Sequence, residues 1–124
     1  MIFIFGGAYQ GKTDFARETF GFANEDIYPC SGAEIDFSRP CIDNIERFTL
    51  ACTRQGADPV EYFRARRAAW ENSVLICRDI FCGVVPMGAE NRAWRQDTGR
   101  LAQYLSREAE RVSRVFCGLE QRLK

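Results

Sequence analysis

A short apolar run followed by a glycine-rich segment is the feature that most restricts the fold of this 124-residue chain. Residues 2–5 are continuously apolar, which is typical of a strand buried on both faces. The next eight residues, 6–13, fit the pattern G-x-x-x-x-G-K-[ST]. A helix is predicted from Lys12 to about Phe20, with Gly21 as its stop. The chain is therefore predicted to begin with a strand, a loop and a helix.

The loop at residues 6–11, here called the glycine loop, has the composition of a phosphate-binding turn. Glycine lets the backbone curl until successive N–H groups point at one centre, and the helix adds the positive end of its dipole. Lys12 is expected to reach the β- and γ-phosphates of a nucleoside triphosphate, and the Thr13 hydroxyl to hold Mg²⁺. A glycine-rich turn without a ligand is the alternative, which the flanking strand and helix disfavour. The predicted nucleotide-binding residues are Gly6, Gly7, Ala8, Tyr9, Gln10, Gly11, Lys12 and Thr13.

Two aspartates are candidates for the carboxylate that such a site needs beside its metal. This group often lies at the carboxyl end of a neighbouring strand. Residues 33–37 and 73–77 are predicted strands; Asp36 lies at the end of the first and Asp79 soon after the second. Asp36 and Asp79 are therefore predicted metal ligands and, with Lys12, predicted catalytic residues. The alternative for each aspartate is that it caps the element that follows.

The remaining pattern alternates helices with strands. Helices are predicted from about residue 38 to 56, from 58 to 70 and from 90 to 111, and a last strand at residues 112–117. Such alternation favours parallel pairing with right-handed crossovers. The length suits one domain. We therefore predict a single α/β domain over residues 1–124, a P-loop NTPase-like three-layer sandwich with a small, mainly parallel sheet of about four strands.

Composition excludes several functions. Seventeen basic and seventeen acidic residues cancel, which gives no indication of a nucleic-acid or membrane partner. No apolar run approaches the ~18–20 residues of a membrane span and no signal peptide is recognisable, so a cytoplasmic location is expected. The chain has no histidine, which excludes Ser-His and Cys-His pairs and histidine-bound intermediates. Its six cysteines contain no C-x-x-C pair, so reduced structural thiols are expected rather than zinc ligands or disulfides.

The second half of the chain adds a more specific pattern. G-V-V-P at residues 83–86 is followed by R-A-W-R at 92–95, then by Gly99, Arg100 and Gln103, with V-F-C-G at 115–118. Together with the glycine loop, this order resembles the adenosylcobinamide kinase/adenosylcobinamide-phosphate guanylyltransferase family of cobalamin assembly. That family pairs G-I-V-P with R-x-F-R-D-x-x-G-R-x-N-Q.

The resemblance implies a P-loop fold, Mg²⁺, ATP or GTP as phosphoryl donor and a corrinoid alcohol such as adenosylcobinamide as acceptor. It also implies that Arg92 and Arg95 hold phosphate or the corrinoid, and it favours a homo-oligomer. For these two arginines the alternative is a solvated helix face, which is also the favoured interpretation of the basic segment with Arg64, Arg66 and Arg67.

Departures from the family pattern narrow the expected activity. The family transfers a guanylyl group through a histidine nucleophile, which this chain lacks. Arg78 and Asp79 stand where the family has Asn-Glu, and Gln96 and Ala102 replace its Asp and Asn. The resemblance therefore implies the kinase step alone, transfer of the γ-phosphate of ATP or GTP to a corrinoid alcohol. The alternatives are a catalytically reduced nucleotide-binding module associated with cobalamin metabolism, and a kinase for an unrelated small alcohol.

Overall fold

The computed structural model describes residues 1–80 and 88–124, and the G-V-V-P part of the family-like pattern, at residues 83–86, lies outside them. The described chain is an α/β protein. Its strands are β1 (Ile2–Gly6), β2 (Ile27–Pro29), β3 (Cys41–Asp43), β4 (Val74–Arg78), β5 (Arg111–Phe116) and β6 (Leu119–Arg122). Its α-helices are α1 (Lys12–Phe20), α2 (Ile45–Gln55), α3 (Pro59–Ala65), α4 (Arg67–Trp70) and α5 (Ala89–Glu108).

The strands described form one mixed sheet in the order β2-β3-β4-β1-β5-β6. All neighbours are parallel except β5 and β6, which form an antiparallel hairpin. β1 lies between β4 and β5, with Ile4 opposite Ile76 and Ser113. Because parallel strands point the same way, β1, β3 and β4 all end at one edge of the sheet, where the glycine loop begins.

Alternating side chains on the central strands build a core on each face of the sheet. The larger core joins β1, β3 and β4 to α2, α3 and α5 and contains Phe3, Ile42, Leu75, Phe48, Phe63, Trp70, Leu101 and Leu105. On the opposite face, Ile4 and Ile76 pack with Ala16 of α1. Helices therefore cover both faces of the central strands, which holds the ends of β1, β3 and β4 in fixed positions.

The sheet differs from the sequence prediction in strand number and in the middle of the chain. It has six described strands rather than about four, because β2 and β3 are only three residues long and β6 follows the glycine that was taken as the end of the fold. Residues 33–37 are not a strand. Their alternation comes from a loop packed on α3, where Phe37 meets the ring of Phe63 and the Ile35 N–H donates to the Tyr62 hydroxyl.

The helices largely follow their predicted positions, with two changes. The helix predicted from about residue 38 begins only at Ile45, because the three residues before Asn44 form β3. The helix predicted over residues 58–70 is divided into α3 and α4 at Arg66, whose backbone departs from helical geometry. Its predicted start is confirmed, since the Asp58 carboxylate accepts a hydrogen bond from the Val60 N–H at 2.9 Å and Pro59 follows it.

Five of the six cysteines lie in the described part of the chain, and all five are free thiols. Burial raises the pKa of the Cys30 and Cys41 thiols to about 12, whereas Cys117 is exposed. Because the thiolate is the reactive form, we expect iodoacetamide at mildly alkaline pH to label Cys117 well before Cys30 and Cys41. Peptide mapping by mass spectrometry measures the order, and labelling of all three at one rate in folded protein would contradict it.

Within residues 1–80 and 88–124, no helix combines the length and apolar character that crossing a bilayer requires.

Candidate functional site

The glycine loop leaves the sheet at a point where β1 and β5 come very close together. A Cβ atom on Gly6 would lie 2.4 Å from the carbonyl oxygen of Val115 in β5. Only glycine permits this approach without moving the backbone. Further along the loop, Tyr9 and Gly11 both have positive φ angles, of 60° and 87°. The loop thus curls tightly between the end of β1 and the start of α1.

The turn between β5 and β6 is hydrogen-bonded to Gln10 of the glycine loop. The side-chain oxygen of Gln10 accepts a hydrogen bond from the Cys117 N–H at 2.7 Å, and the Gln10 carbonyl accepts one from the Gly118 N–H at 2.8 Å. Cys117 and Gly118 both have positive φ, as in the two-residue turns that suit tight hairpins. The hairpin therefore supports the glycine loop and fixes its path.

Lys12 is the first residue of α1 and points back over the glycine loop. Its Nζ donates to the carbonyl oxygen of Gly7 at 2.7 Å. Burial lowers the pKa of Lys12 below its usual value, and the carboxylates of Glu46 and Asp43 oppose that shift. A phosphate group placed over the loop would add negative charge beside this ammonium and favour its protonated form.

A hydrogen bond between Thr13 and Asp43 joins the start of α1 to the end of β3. The Thr13 hydroxyl donates to Oδ2 of Asp43 at 2.7 Å, although the two residues lie thirty positions apart in the chain. Asp43 ends β3 and is 8% exposed, and its other oxygen accepts from the Asn44 N–H at 2.7 Å. The fold thus brings a loop hydroxyl and a strand-end carboxylate together beside Lys12.

A second carboxylate, Glu46, lies at the start of α2 and is also 8% exposed. Its Oε1 accepts from the backbone N–H of Arg78 at 2.9 Å, so β4 holds it in place. The indole N–H of Trp94 donates to the Glu46 carbonyl oxygen at 2.9 Å, which ties α5 to the same point. Glu46 therefore contributes fixed negative charge to this edge of the sheet.

These groups surround one open cavity of about 480 Å³, here called the phosphate cavity. It is lined by Ala8, Tyr9, Gly11, Lys12, Thr13, Asp14, Asp43, Asn44, Glu46, Arg47 and Arg78. The described residues contain no cluster of three or more His, Cys, Asp or Glu side chains that could hold a metal ion. Mg²⁺ bound with a nucleotide takes few protein ligands, since phosphates and waters complete its shell. Thr13 and Asp43 fit that kind of site.

The two aspartates expected from sequence lie in different places. Asp36 is exposed in a loop, where its Oδ1 accepts from the Ser38 N–H at 2.9 Å. Hydrogen bonds from Ser38 lower the pKa of Asp36, so it caps a turn, and the strand that was to carry it to the loop mouth is absent. Asp79 directly follows β4, and its N–H donates to the Gly6 carbonyl oxygen at 2.7 Å. Asp79 lines a second cavity, between the sheet and α5, and it is not among the described residues that line the phosphate cavity.

The arginines singled out from sequence lie on helix surfaces. Arg92 is exposed on α5 and Arg95 is half-buried there, and neither is among the described residues that line the phosphate cavity. On the basic segment, Arg64 pairs with Glu61 and Arg67 pairs with Glu108 at 2.6 Å. Arg66 lies over the ring of Tyr62. Arg64, Arg66 and Arg67 thus make surface contacts around α3 and α4.

No protein-family model and no curated protein sequence matches this chain.

Sequence reasoning missed Asp43 and Glu46, the two buried acids of the phosphate cavity. The signal for Asp43 was present in Cys41-Ile42-Asp43, an apolar pair followed by an acid, but three residues are too few to show a strand period. Pro40 was taken instead as the first turn of a helix. Glu46 gave no local signal, because its place beside Lys12 depends on how α2 packs against β4.

Proposed function

We propose that this chain is a magnesium- and nucleotide-dependent small-molecule kinase that transfers the γ-phosphate of ATP or GTP to an alcohol. The observation that carries the proposal is the Thr13–Asp43 hydrogen bond beside Lys12 at the mouth of the glycine loop. In P-loop enzymes a loop Ser or Thr and a strand-end Asp hold Mg²⁺, while the loop lysine contacts the phosphates. This chain has all three groups lining one cavity.

The roles of the residues follow from what phosphoryl transfer requires. Positioning and charge neutralisation supply most of the catalysis. The glycine loop would cradle the phosphates with its N–H groups, and Lys12 would neutralise charge on the β- and γ-oxygens. Thr13 and Asp43 would hold the metal, which neutralises charge on the leaving phosphate. The backbone N–H of Asp79 is hydrogen-bonded to Gly6 at the start of the loop. Its carboxylate would orient the acceptor hydroxyl and accept the proton of that hydroxyl.

The proposed acceptor is a corrinoid alcohol such as adenosylcobinamide. This choice of acceptor is supported by the resemblance to the adenosylcobinamide kinase family. That resemblance lies in the glycine loop and in the R-A-W-R, Gly99-Arg100 and Gln103 pattern of α5. Without histidine, the guanylyl-transfer step of that family has no nucleophile here, so the proposal is confined to the kinase step.

A nucleotide-binding module without turnover is the second candidate. The observation that favours it is the altered motif before Gly83, where Arg78 and Asp79 stand in place of the family's Asn-Glu. In that case, binding of the magnesium–nucleotide complex would itself be the function.

Nucleotide consumption with and without adenosylcobinamide tests the proposal. We expect ADP or GDP to form only when both Mg²⁺ and the alcohol are present, and chelation of the metal to stop the reaction. Hydrolysis at the same rate without the alcohol would contradict a kinase. Tight magnesium–nucleotide binding with no product would instead support the binding module.

A further inference from the structure

A second cavity of about 480 Å³ lies between the sheet and α5, on the face opposite α1. We call it the α5 cavity. It is lined by Phe3, Phe5, Cys77, Arg78, Asp79, Gly99, Ala102, Gln103, Ser106 and Arg107. Its floor is apolar, because Phe3 and Phe5 of β1 stack with ring centres 6.0 Å apart and an angle of 19° between the rings. Polar side chains, among them Asp79, Gln103 and Ser106, line the rest of the cavity. An apolar surface with a few polar groups is typical of small-molecule binding sites.

The α5 cavity adjoins the phosphate cavity at the end of β4. Arg78 lines both cavities, so they meet at this residue. Asp79, the next residue, lines the α5 cavity and is hydrogen-bonded through its backbone to Gly6, where the glycine loop starts. One end of a molecule bound in the α5 cavity would therefore lie close to phosphates held by the glycine loop.

The strand order brings the α5 cavity close to the residues of the proposed metal site. Thr13 and Asp43 would hold the metal of the proposed magnesium–nucleotide complex. Asp43 ends β3, and β4 lies between β3 and β1. The end of β4, with Asp79, therefore lies between Asp43 and the start of the glycine loop. An acceptor that reached Asp79 would therefore lie beside the proposed metal site and the loop that would hold the phosphates.

We propose that the α5 cavity binds the acceptor alcohol, with an apolar part of that molecule in the cavity and its hydroxyl at Asp79. This assignment rests on the proposed kinase function. The apolar part would lie on Phe3 and Phe5, and Gln103 and Ser106 would form hydrogen bonds with polar groups beside it. In the reaction, the acceptor oxygen bonds to the γ-phosphorus as the bond from that phosphorus to the β–γ bridging oxygen breaks. The hydroxyl proton passes to the Asp79 carboxylate, and the nucleoside diphosphate leaves.

Filling the cavity without touching the phosphate cavity tests this assignment. Ala102 is half-buried on α5 and lines only the α5 cavity of the two, so Ala102→Leu would occupy its space. Ala51, equally half-buried on α2, lines neither cavity, and Ala51→Leu is the matched control. Binding of adenosylcobinamide is measured by equilibrium dialysis with saturating Mg²⁺ and a non-hydrolysable ATP or GTP analogue. Nucleotide affinity is measured separately by calorimetry.

We expect Ala102→Leu to weaken adenosylcobinamide binding roughly 10-fold or more, the usual effect of removing space from an apolar pocket, and Ala51→Leu to leave it unchanged. Nucleotide affinity should be the same in both variants. Gln103→Ala provides a second variant that spares the core, because Gln103 is exposed. Its control is Gln96→Ala, exposed on the same helix and outside the cavity. Gln103→Ala should weaken adenosylcobinamide binding by a smaller factor than Ala102→Leu does, and Gln96→Ala should leave it unchanged.

The outcomes separate this assignment from the kinase proposal. Wild-type affinity for adenosylcobinamide in both Ala102→Leu and Gln103→Ala, or no binding by the wild type, would overturn the assignment of the cavity. Weakened nucleotide binding in Ala102→Leu would mean that the cavity holds the nucleobase. Asp79→Asn should bind both ligands and lose turnover. Failure of the wild type to bind a magnesium–nucleotide complex would instead overturn the kinase proposal itself.

Discussion

Asp43→Asn is expected to reduce magnesium-dependent nucleotide turnover by roughly 10- to 100-fold or more, because loss of a group that merely supports a metal ligand already costs about that much. The Asp43 carboxylate is the acid that contacts Thr13, and these two groups together form the proposed metal site. An amide of the same shape removes the carboxylate charge while keeping an oxygen for the Asn44 N–H. The loss should therefore be in metal and nucleotide binding rather than in folding.

Asp36→Asn is the matched control, because Asp36 carries the same charge but is exposed and bonded to Ser38 in a turn. We expect its turnover to equal that of the wild type. Thermal unfolding with and without Mg²⁺ and nucleotide gives a second measurement. A ligand that binds only the folded state raises its stability by RT ln(1 + [L]/Kd). That rise should disappear in Asp43→Asn alone. Equal turnover in Asp43→Asn and the wild type would remove Asp43 from the metal site.

The first part of the fold could be predicted because its signals are local. β1 (Ile2–Gly6) and α1 (Lys12–Phe20) begin and end where the apolar run, the lysine and Gly21 place them. The strand predicted at residues 73–77 is confirmed as β4 (Val74–Arg78), whose first four residues are buried. In each case several neighbouring residues carry the same signal, so one unusual position does not change the prediction.

The middle of the chain could not be predicted in the same way, because its structure depends on distant partners. β2 and β3 have three residues each. They are held in the sheet by pairing, β2 with β3 and β3 with β4. Residues 33–37 alternate as a strand would, yet they pack as a loop on the aromatic rings of α3. Asp36 was therefore placed at the loop mouth, whereas Asp43, on a strand too short to recognise, is the residue that reaches Thr13.

Gly6→Ala is expected to destabilise the protein by about 1–3 kcal/mol or more, the usual cost of forcing extra volume into a close-packed site. The added Cβ would lie 2.4 Å from the backbone oxygen of Val115, and a backbone atom in a paired strand cannot move aside as a flexible side chain can. Either β1 and β5 separate or the first turn of the glycine loop shifts. For a domain of this size each kcal/mol lowers Tm by about 3–6 °C.

Gly7→Ala separates this steric effect from any general effect of adding a methyl group to the glycine loop. A Cβ on Gly7 would lie 3.5 Å from Cγ of Gln10, an ordinary van der Waals contact, and Gly7 does not have a positive φ. We expect its free energy of unfolding, measured by urea denaturation without nucleotide, to stay close to that of the wild type. If both variants lose the same stability, the close approach of Gly6 to β5 does not set the position of the loop, and the phosphate cavity would need another source of rigidity.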